Sequence, residues 1–322
     1  LYGGTHNLME YTLPRFGINT TFVDPNDIEA FRNAIKPETR LIFGETVANP
    51  RTEVLDIPKV AEIAHEHHIP LIVDSTTTTP YLIRPFDLGA DIVVHSATKF
   101  LSGHGTVMAG LIVDGGTFDW ESTDKFPQMT EKYAGFHNLS FVEEFGPAAY
   151  IARVRNEAAR DFGACLAPNS SFLVLNGTET LSVRMDKHIS NTKKVVAYLK
   201  NHEVVEWVSH PDLEDHPNHE LAKTLLPKGS TAVFSFGIKG GRKVGQIFID
   251  RLDLFSNLAN IGDSKSLVIH PASTTHQRMS VEDLEAAGIS EGLIRLSIGI
   301  ESADDLIEDL EKGFRAAAKA LK

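Results

Sequence analysis

Cysteine is nearly absent from this sequence of 322 residues, in which Cys165 stands alone. One cysteine excludes a disulfide within the chain and is typical of a reducing compartment, so we expect a cytoplasmic protein. No apolar run approaches the ~20 residues that a membrane-spanning helix needs. The opening residues also lack the basic and apolar regions of a signal peptide. Basic residues are in deficit, 31 Lys and Arg against 43 Asp and Glu, and the net charge of -12 opposes binding of nucleic acid or anionic lipid.

Hydrophobic residues, in contrast, make up 42% of the chain, enough for a large core and for one large domain with a smaller one. Between residues 20 and 98 the β-branched runs TTFVD, TRLIFGET, IPLIVDST and DIVVHSAT alternate with helical patterns, which predicts βαβ units. Before IPLIVDST, Ile57, Val60 and Ala61 form an apolar helical stripe behind an Asp56 cap. Strands this apolar are usually buried on both faces. We therefore predict a doubly wound α/β domain with a mostly parallel sheet.

The second half of the sequence predicts a smaller C-terminal α/β domain. Residues 114–146 have little periodicity and indicate a long loop, and a long helix near 170–201 would join the two domains. Strands are predicted near VVEWVS, TAVFSFGI and LIRLSIGI, and a last helix follows the Ser302 cap. We place the large domain at residues 1–185 and the smaller one at 186–322.

Polar side chains stand at the ends of three predicted strands. The strands end in Glu45-Thr46, in Asp74-Ser75-Thr76 and in Ser96-Ala97-Thr98-Lys99. Ligands of an open parallel sheet bind beyond the carboxyl ends of its strands, so these residues are candidates for a site. Taken singly each is ordinary, because a strand-end acid usually caps a helix and a strand-end lysine is usually solvated.

Taken together, these side chains meet the chemical needs of pyridoxal phosphate. That cofactor needs a lysine for its aldehyde, a carboxylate beside its pyridine nitrogen, donors for its phosphate and an aromatic ring against its face. Lys99 would hold the cofactor as a Schiff base, and Asp74 would keep the pyridine nitrogen protonated. The hydroxyls of Ser96 and Thr98 would bind phosphate, and Tyr2 would stack on the ring.

The order of these motifs resembles that of the Cys/Met metabolism PLP-dependent enzymes, over essentially the whole chain. Two further stretches, GGTFDW at 115–120 and residues 260–276, are most similar to the O-acetylhomoserine sulfhydrylases of that family. The resemblance implies the aspartate-aminotransferase-like fold (fold type I), pyridoxal phosphate as cofactor, and a homotetramer built as a dimer of dimers with shared active sites. The matching motifs are Tyr2-Gly3-Gly4-Thr5, Glu45-Thr46 with Asn49-Pro50, Asp74, Ser96-Ala97-Thr98-Lys99 and Arg295-Leu296-Ser297.

The resemblance also implies the roles of single residues. Lys99 and Tyr2 are expected to be catalytic, and Arg295 to bind the α-carboxylate of the substrate through its planar guanidinium. Asn49 and the backbone around Asn260 would assist Arg295. The residues expected to bind the cofactor are Lys99, Asp74, Thr76, Ser96, Thr98 and Tyr2.

The expected reaction is a γ-replacement that converts O-acetyl-L-homoserine and sulfide into L-homocysteine and acetate, a step of methionine biosynthesis. The same residues would serve a cystathionine or methionine gamma-lyase, a cystathionine gamma-synthase or an O-succinylhomoserine sulfhydrylase, and the sequence does not decide among them. A nicotinamide-dependent dehydrogenase is disfavoured because no Gly-x-Gly-x-x-Gly follows an early strand. A non-catalytic oligomerising remnant stays an alternative.

The sequence departs from the family pattern in two places. Ser75, Thr76 and Thr77 follow Asp74 where the family usually has Asn-Thr-Phe. Family members also carry a substantial segment before the Tyr-Gly-Gly motif, which supplies backbone donors for phosphate and a Tyr/Arg pair for the neighbouring subunit, so we expect an upstream segment. The histidines of HEHH at 65–68 lie at the polar end of a helix without other ligands, and we expect no metal site.

Overall fold

Two β-sheets organise the protein in a computed structural model that describes residues 1–322 without 276, 279, 281, 283 and 285–287. The strands of the first sheet follow the order β1-β2-β3-β4. The first three are parallel, and β4 runs antiparallel to β3. This sheet, with helices packed around it, confirms the predicted α/β class. Its strands are β1 (Ile42–Glu45), β2 (Leu71–Asp74), β3 (Ile92–Ser96) and β4 (Gly110–Asp114).

The second sheet has the order β5-β6-β9-β8-β7 and is mostly antiparallel. It is central to the smaller C-terminal part of the chain, where three of its strands lie at the predicted positions. Its strands are β5 (Val205–Ser209), β6 (Val233–Ile238), β7 (Ser256–Asn257), β8 (Leu267–Ile269) and β9 (Leu293–Ser297).

Helices surround both sheets. The α3 helix has a buried stripe of Ile57, Val60, Ala61, Ile63 and Ala64, and its Asp56 cap accepts a hydrogen bond from the Lys59 amide. The α-helices are α1 (Gly3–Asn7), α2 (Ile28–Ala34), α3 (Ile57–Glu66), α4 (Thr79–Leu82), α5 (Pro127–Thr130), α6 (Phe141–Phe145), α7 (Ala149–Arg153), α8 (Arg160–Phe162), α9 (Pro168–Glu179), α10 (Leu181–Lys200), α11 (His219–Leu225), α12 (Gly241–Ile249) and α13 (Ala303–Ala320). Shorter 3₁₀ or π turns are Leu8–Thr12, Leu13–Phe16, Pro85–Leu88, Ala134–Phe136, Gly146–Ala148, Val154–Ala159 and Pro271–Ser273. No helix of the described residues is long and apolar enough to cross a membrane.

Helix α10 connects the two hydrophobic cores. Its first turns contribute Met185 and Ile189 to the core around the first sheet. Its last turns contribute Val195 and Leu199 to the core around the second sheet. The domain boundary proposed at 185/186 therefore falls inside a helix whose ends are buried in different cores.

Two predicted elements differ in the structure. The run TTFVD at 20–24 is not a strand, because none of the described strands lies beside it and an extended segment needs a hydrogen-bonded neighbour. The single helix predicted near 170–201 is two helices, α9 and α10, which meet at Thr180. The Thr180 backbone, with φ −105° and ψ 8°, leaves helical geometry at this point.

Candidate active site

The carboxyl ends of β1, β2 and β3 meet at one edge of the first sheet. Glu45 and Asp74 are direct neighbours in the register of β1 and β2, and Ser96 ends β3. Two further backbone hydrogen bonds connect neighbouring strands at this edge. The Thr46 amide donates to the Asp74 carbonyl (2.9 Å), and the Ser75 amide donates to the Val94 carbonyl (3.0 Å). The parallel arrangement thus brings the predicted strand-end residues together.

Lys99 lies in a tight turn directly after β3. Its amide donates to the Ser96 carbonyl (3.1 Å), and its carbonyl accepts from the Gly103 amide (2.8 Å). The Nζ atom donates to Oδ1 of Asn260, which belongs to the smaller domain. Burial lowers the pKa of Lys99 below its ordinary 10.5, and the charge of Arg295 lowers it further. The amine is therefore neutral, and nucleophilic, at a lower pH than an exposed lysine.

Arg295 approaches the same place from β9. Its Nη2 atom donates to the carbonyls of Ala259 (2.8 Å) and Asn260 (3.2 Å), so Asn260 contacts both Lys99 and Arg295. Burial lowers the pKa of Arg295 to about 10, against an opposing effect of Tyr2, and the guanidinium stays charged at neutral pH. Its Nε is buried and has no hydrogen-bond partner among the described residues. The side chain thus keeps a donor for a ligand.

The loop that carries Asn49 is linked to the strand of Arg295 by Ser235. Ser235 is the register partner of Arg295 on β6, and its hydroxyl donates to the carbonyl of Pro50 (3.0 Å). The Asn49 side-chain oxygen is buried without a hydrogen-bond partner in the described part of the chain. The loop after β1 and the strand β9 therefore each contain one buried polar atom without a partner among the described residues.

Asp74 and Thr76 are linked by short-range hydrogen bonds. The Asp74 Oδ1 atom accepts from the Thr76 amide (2.8 Å), and Thr76 Oγ1 accepts from the Ser96 amide (2.7 Å). The Thr76 hydroxyl thereby keeps its proton for donation. Burial lowers the pKa of the neighbouring His95 imidazole, and the Asp74 carboxylate acts in the opposite direction.

The Thr98 hydroxyl already has two hydrogen-bond partners. It donates to the Ala109 carbonyl (3.2 Å) and accepts from the Ala109 amide (3.0 Å). These two bonds attach the segment before Lys99 to the start of the β4 hairpin. Because the hydroxyl proton is already donated, phosphate binding by this side chain needs a rearrangement.

Glu45 contacts Tyr2, the residue predicted to stack on the cofactor. No role was predicted for Glu45 from the sequence. Its Oε1 atom accepts from the Tyr2 amide (2.6 Å), while the Tyr2 side chain is 55% exposed. Burial raises the pKa of Glu45, and the nearby Asp74 carboxylate raises it further. The sequence offered one indication of this contact, namely that Glu45 is an acid at the end of the strand next to that of Asp74.

The residues around Lys99 fit pyridoxal phosphate. Lys99 offers an amine that bonds an amide oxygen and not a carboxylate, and Asp74 offers an anion at the end of β2. The buried, unpaired Nε donor of Arg295 suits an amino-acid carboxylate. Metal ligands are not gathered here or elsewhere in the described residues, since no group of three His, Cys, Asp or Glu side chains is arranged to hold an ion. His65 of HEHH instead pairs with Asp91 (2.9 Å).

Two histidines, His270 and His276, follow β8 in the stretch that resembles the O-acetylhomoserine sulfhydrylases. His270 is fully buried and its ring bonds the Ser273 hydroxyl (2.8 Å) and the Glu291 carbonyl (2.7 Å), which is a structural arrangement. His276 lies outside the described residues.

Comparisons with known proteins identify the family of this chain. The profile of the family "Cys/Met metabolism PLP-dependent enzyme" matches residues 1–315. A sulfhydrylase of Fusarium oxysporum f. sp. lycopersici is 48% identical over 98% of this chain and 74% of its own length. An O-acetyl-L-homoserine sulfhydrylase of Leptospira meyeri is 45% identical over 98% of this chain and 73% of its own length. A crystal structure described as an O-acetylhomoserine (thiol)-lyase of Campylobacter jejuni, with a pyridoxyl-lysine monophosphate, is 38% identical, has a TM-score of 0.93 and covers 98% of this chain and 75% of that one.

Proposed function

This chain belongs to the Cys/Met metabolism PLP-dependent enzyme family, and from this premise we propose that it converts O-acetyl-L-homoserine and sulfide into L-homocysteine and acetate. The carbon–oxygen bond at Cγ breaks and a carbon–sulfur bond forms there, and acetate carries away the electron pair. The observation that carries the proposal is the meeting of Lys99 and Arg295 at Asn260, which joins a reactive amine to a carboxylate-binding cation. Sulfhydrylases among the similar proteins support the substrate.

Pyridoxal phosphate, when bound, supplies an aldehyde for amines and a ring that withdraws electrons from the substrate Cα. The roles of the chain's own residues follow from their surroundings. Lys99 holds the cofactor, and its amine then takes the proton from Cα and shifts a proton at Cβ, which permits acetate to leave Cγ. Its lowered pKa favours the neutral, proton-accepting form. The Asn260 amide oxygen orients the Nζ atom.

Arg295 and Asn49 orient the substrate. The guanidinium binds the α-carboxylate as a charged pair, and the Asn49 amide lies on the adjoining loop. The Asp74 carboxylate would hold the pyridine nitrogen in its protonated form. Tyr2 would stack on the cofactor and assist departure of acetate, while Thr76, Ser96 and, after rearrangement, Thr98 would donate to the phosphate.

The gamma-lyase alternative uses the same residues and yields a keto acid and ammonia. A cystathionine gamma-synthase or an O-succinylhomoserine sulfhydrylase differs in the acyl group or in the sulfur nucleophile. Product analysis distinguishes these enzyme activities in three assays. The first contains O-acetylhomoserine and sulfide, the second contains O-succinylhomoserine or cysteine, and the third contains cystathionine or methionine alone. Homocysteine formed fastest in the first assay supports the proposal.

We further propose a cytoplasmic homotetramer whose active sites are shared between subunits. Supporting the assembly, large apolar side chains stay exposed along the chain, namely Tyr11, Phe16, Phe162, Phe172, Leu175 and Val183. The single free cysteine suits a reducing compartment. Light scattering that gives four times the chain mass supports the assembly, and a monomer with full turnover contradicts the shared sites.

The direct test of the catalytic role is the Lys99→Ala variant, with Lys319→Ala as a control on an exposed position of α13. Lys99→Ala should lose covalent cofactor attachment, seen by borohydride reduction and mass spectrometry, together with homocysteine formation. Lys319→Ala should keep both. Full turnover by Lys99→Ala would remove Lys99 from the mechanism.

A further inference from the structure

Arg184 is a buried arginine with no carboxylate partner among the described residues. It lies in the first turn of α10, and 5% of its surface is exposed. Its guanidinium donates to the carbonyls of Phe100 (2.7 Å), Leu101 (3.3 Å) and Gly177 (2.7 Å), and its Nε donates to the Thr180 hydroxyl (3.1 Å). Burial lowers its pKa. A buried cation is usually paired with an anion, so four neutral acceptors make this site unusual.

Two of these carbonyls belong to the segment directly after Lys99, which we call the lysine turn (residues 99–103). The turn closes by the bond from the Gly103 amide to the Lys99 carbonyl (2.8 Å). Gly103 has φ +72°, and a Cβ there would lie 2.1 Å from the Arg184 Nη1 atom. The guanidinium therefore fills the inside of the lysine turn against the backbone.

The same turn contacts the loop that carries Asn260. The Gly103 carbonyl accepts from the Ser264 amide (2.8 Å) and hydroxyl (2.7 Å). A Cβ on Gly262 would lie 2.7 Å from the Phe100 nitrogen, so the two backbones are in close contact. The position of the lysine turn thus affects the contact between the Lys99 amine and Asn260.

We propose that Arg184 is a positioning residue for Lys99. Its planar fork ties the lysine turn to the junction of α9 and α10, and so fixes the backbone from which the Lys99 side chain reaches the substrate Cα. A lysine at position 184 keeps the charge but has one nitrogen, which cannot span the acceptors on both sides. The expected kinetic effects rest on the proposed function. The effect of Arg184 on the backbone of the lysine turn does not depend on that function.

The test compares Arg184→Lys and Arg184→Met with Arg315→Lys, a matched control. Arg315 is exposed on α13 and pairs with Glu311 (3.0 Å), far from any residue assigned to the site. Hydrogen exchange of the cofactor-free proteins is measured first. Both Arg184 variants should exchange the amides of residues 99–103 at least about tenfold faster, with little change in β1 to β3.

Kinetics of the holoenzymes supply the second measurement. A small misplacement of an acid/base group lowers the rate of proton transfer, so kcat of Arg184→Lys should fall about 10- to 100-fold with KM within about threefold. The isotope effect on kcat with Cα-deuterated substrate should rise, because proton removal becomes rate-limiting. A purely structural role would lower thermal stability and leave the isotope effect and the kcat per folded site unchanged.

Three outcomes overturn the inference: exchange that rises uniformly through the chain, exchange in the turn equal to that of Arg315→Lys, or an unchanged isotope effect. If the Arg184 variants do not fold, Thr180→Val removes the acceptor of Nε, together with the weak bond from the Thr180 hydroxyl to the Gly177 carbonyl (3.4 Å), and leaves the guanidinium bonds to Phe100 and Leu101. This variant should loosen the turn less, with the same sign in both measurements. A wild-type protein inactive with sulfide would count against the proposed function, and the hydrogen-exchange result would still decide the role of Arg184.

Discussion

Replacement of Arg295 by lysine tests the carboxylate site with the charge retained. The guanidinium has a buried, unpaired Nε and an Nη2 that already donates to two carbonyls. A substrate carboxylate would therefore accept a charged hydrogen bond from the Arg295 Nε, which a lysine ammonium cannot supply in the same geometry. Loss of one hydrogen bond to a charged group costs about 1.5–3 kcal/mol, which corresponds to a rise in KM of about 10- to 150-fold.

The assay measures initial rates of homocysteine formation, first against O-acetylhomoserine at saturating sulfide and then against sulfide at saturating O-acetylhomoserine. Arg295→Lys should raise KM for the amino acid by the stated factor and leave KM for sulfide nearly unchanged, because sulfide has no carboxylate. Arg315→Lys serves as the control, since its exposed guanidinium pairs only with Glu311 in the described structure. A change in KM of less than about threefold for the amino acid refutes the assigned role of Arg295.

Three further predictions concern stability and titration. Burial lowers the pKa of His188 to about 4 from 6.5, so the folded state binds the proton more weakly than the unfolded state. The free energy of unfolding should therefore stay constant above pH 6.5 and fall by about 3 kcal/mol as the pH falls to 4. Urea unfolding of His188→Gln should show a smaller fall over the same pH range. Gly103→Ala should lower the melting temperature more than Gly17→Ala. Both glycines have positive φ, but only at Gly103 would the added Cβ contact other atoms. Equal decreases in melting temperature, measured by calorimetry, would contradict this packing. In the cofactor-free protein, acylation of Lys99 should have its midpoint below pH 10.5, and Arg295→Met should move the midpoint upward; an unmoved midpoint would exclude the charge effect.

Much of the first sheet follows from the sequence. The runs that contain β1, β2 and β3 are apolar, alternate with an amphipathic helix and end in polar residues. In a parallel sheet these facts suffice to bring Asp74, Ser96 and Lys99 to one edge. The family and its fold, predicted from the order of motifs, are confirmed by the profile match and by the structural similarity.

Other features depend on contacts that no local pattern encodes. The TTFVD run has strand propensity, but a strand also needs a neighbour. The Thr98 hydroxyl has two bonds to Ala109, and their formation depends on how the β4 hairpin closes. Arg184 contacts Phe100 across 84 positions of the sequence, so its role becomes visible only when α10 packs against the turn.

Product analysis tests the central claim most directly. The purified protein, loaded with pyridoxal phosphate, is given O-acetyl-L-homoserine with and without sulfide, and homocysteine, acetate, 2-oxobutyrate and ammonia are quantified. With sulfide, homocysteine and acetate should form in equal amounts, with little 2-oxobutyrate. Release of 2-oxobutyrate and ammonia at the same rate in both assays, without homocysteine, would contradict the claim.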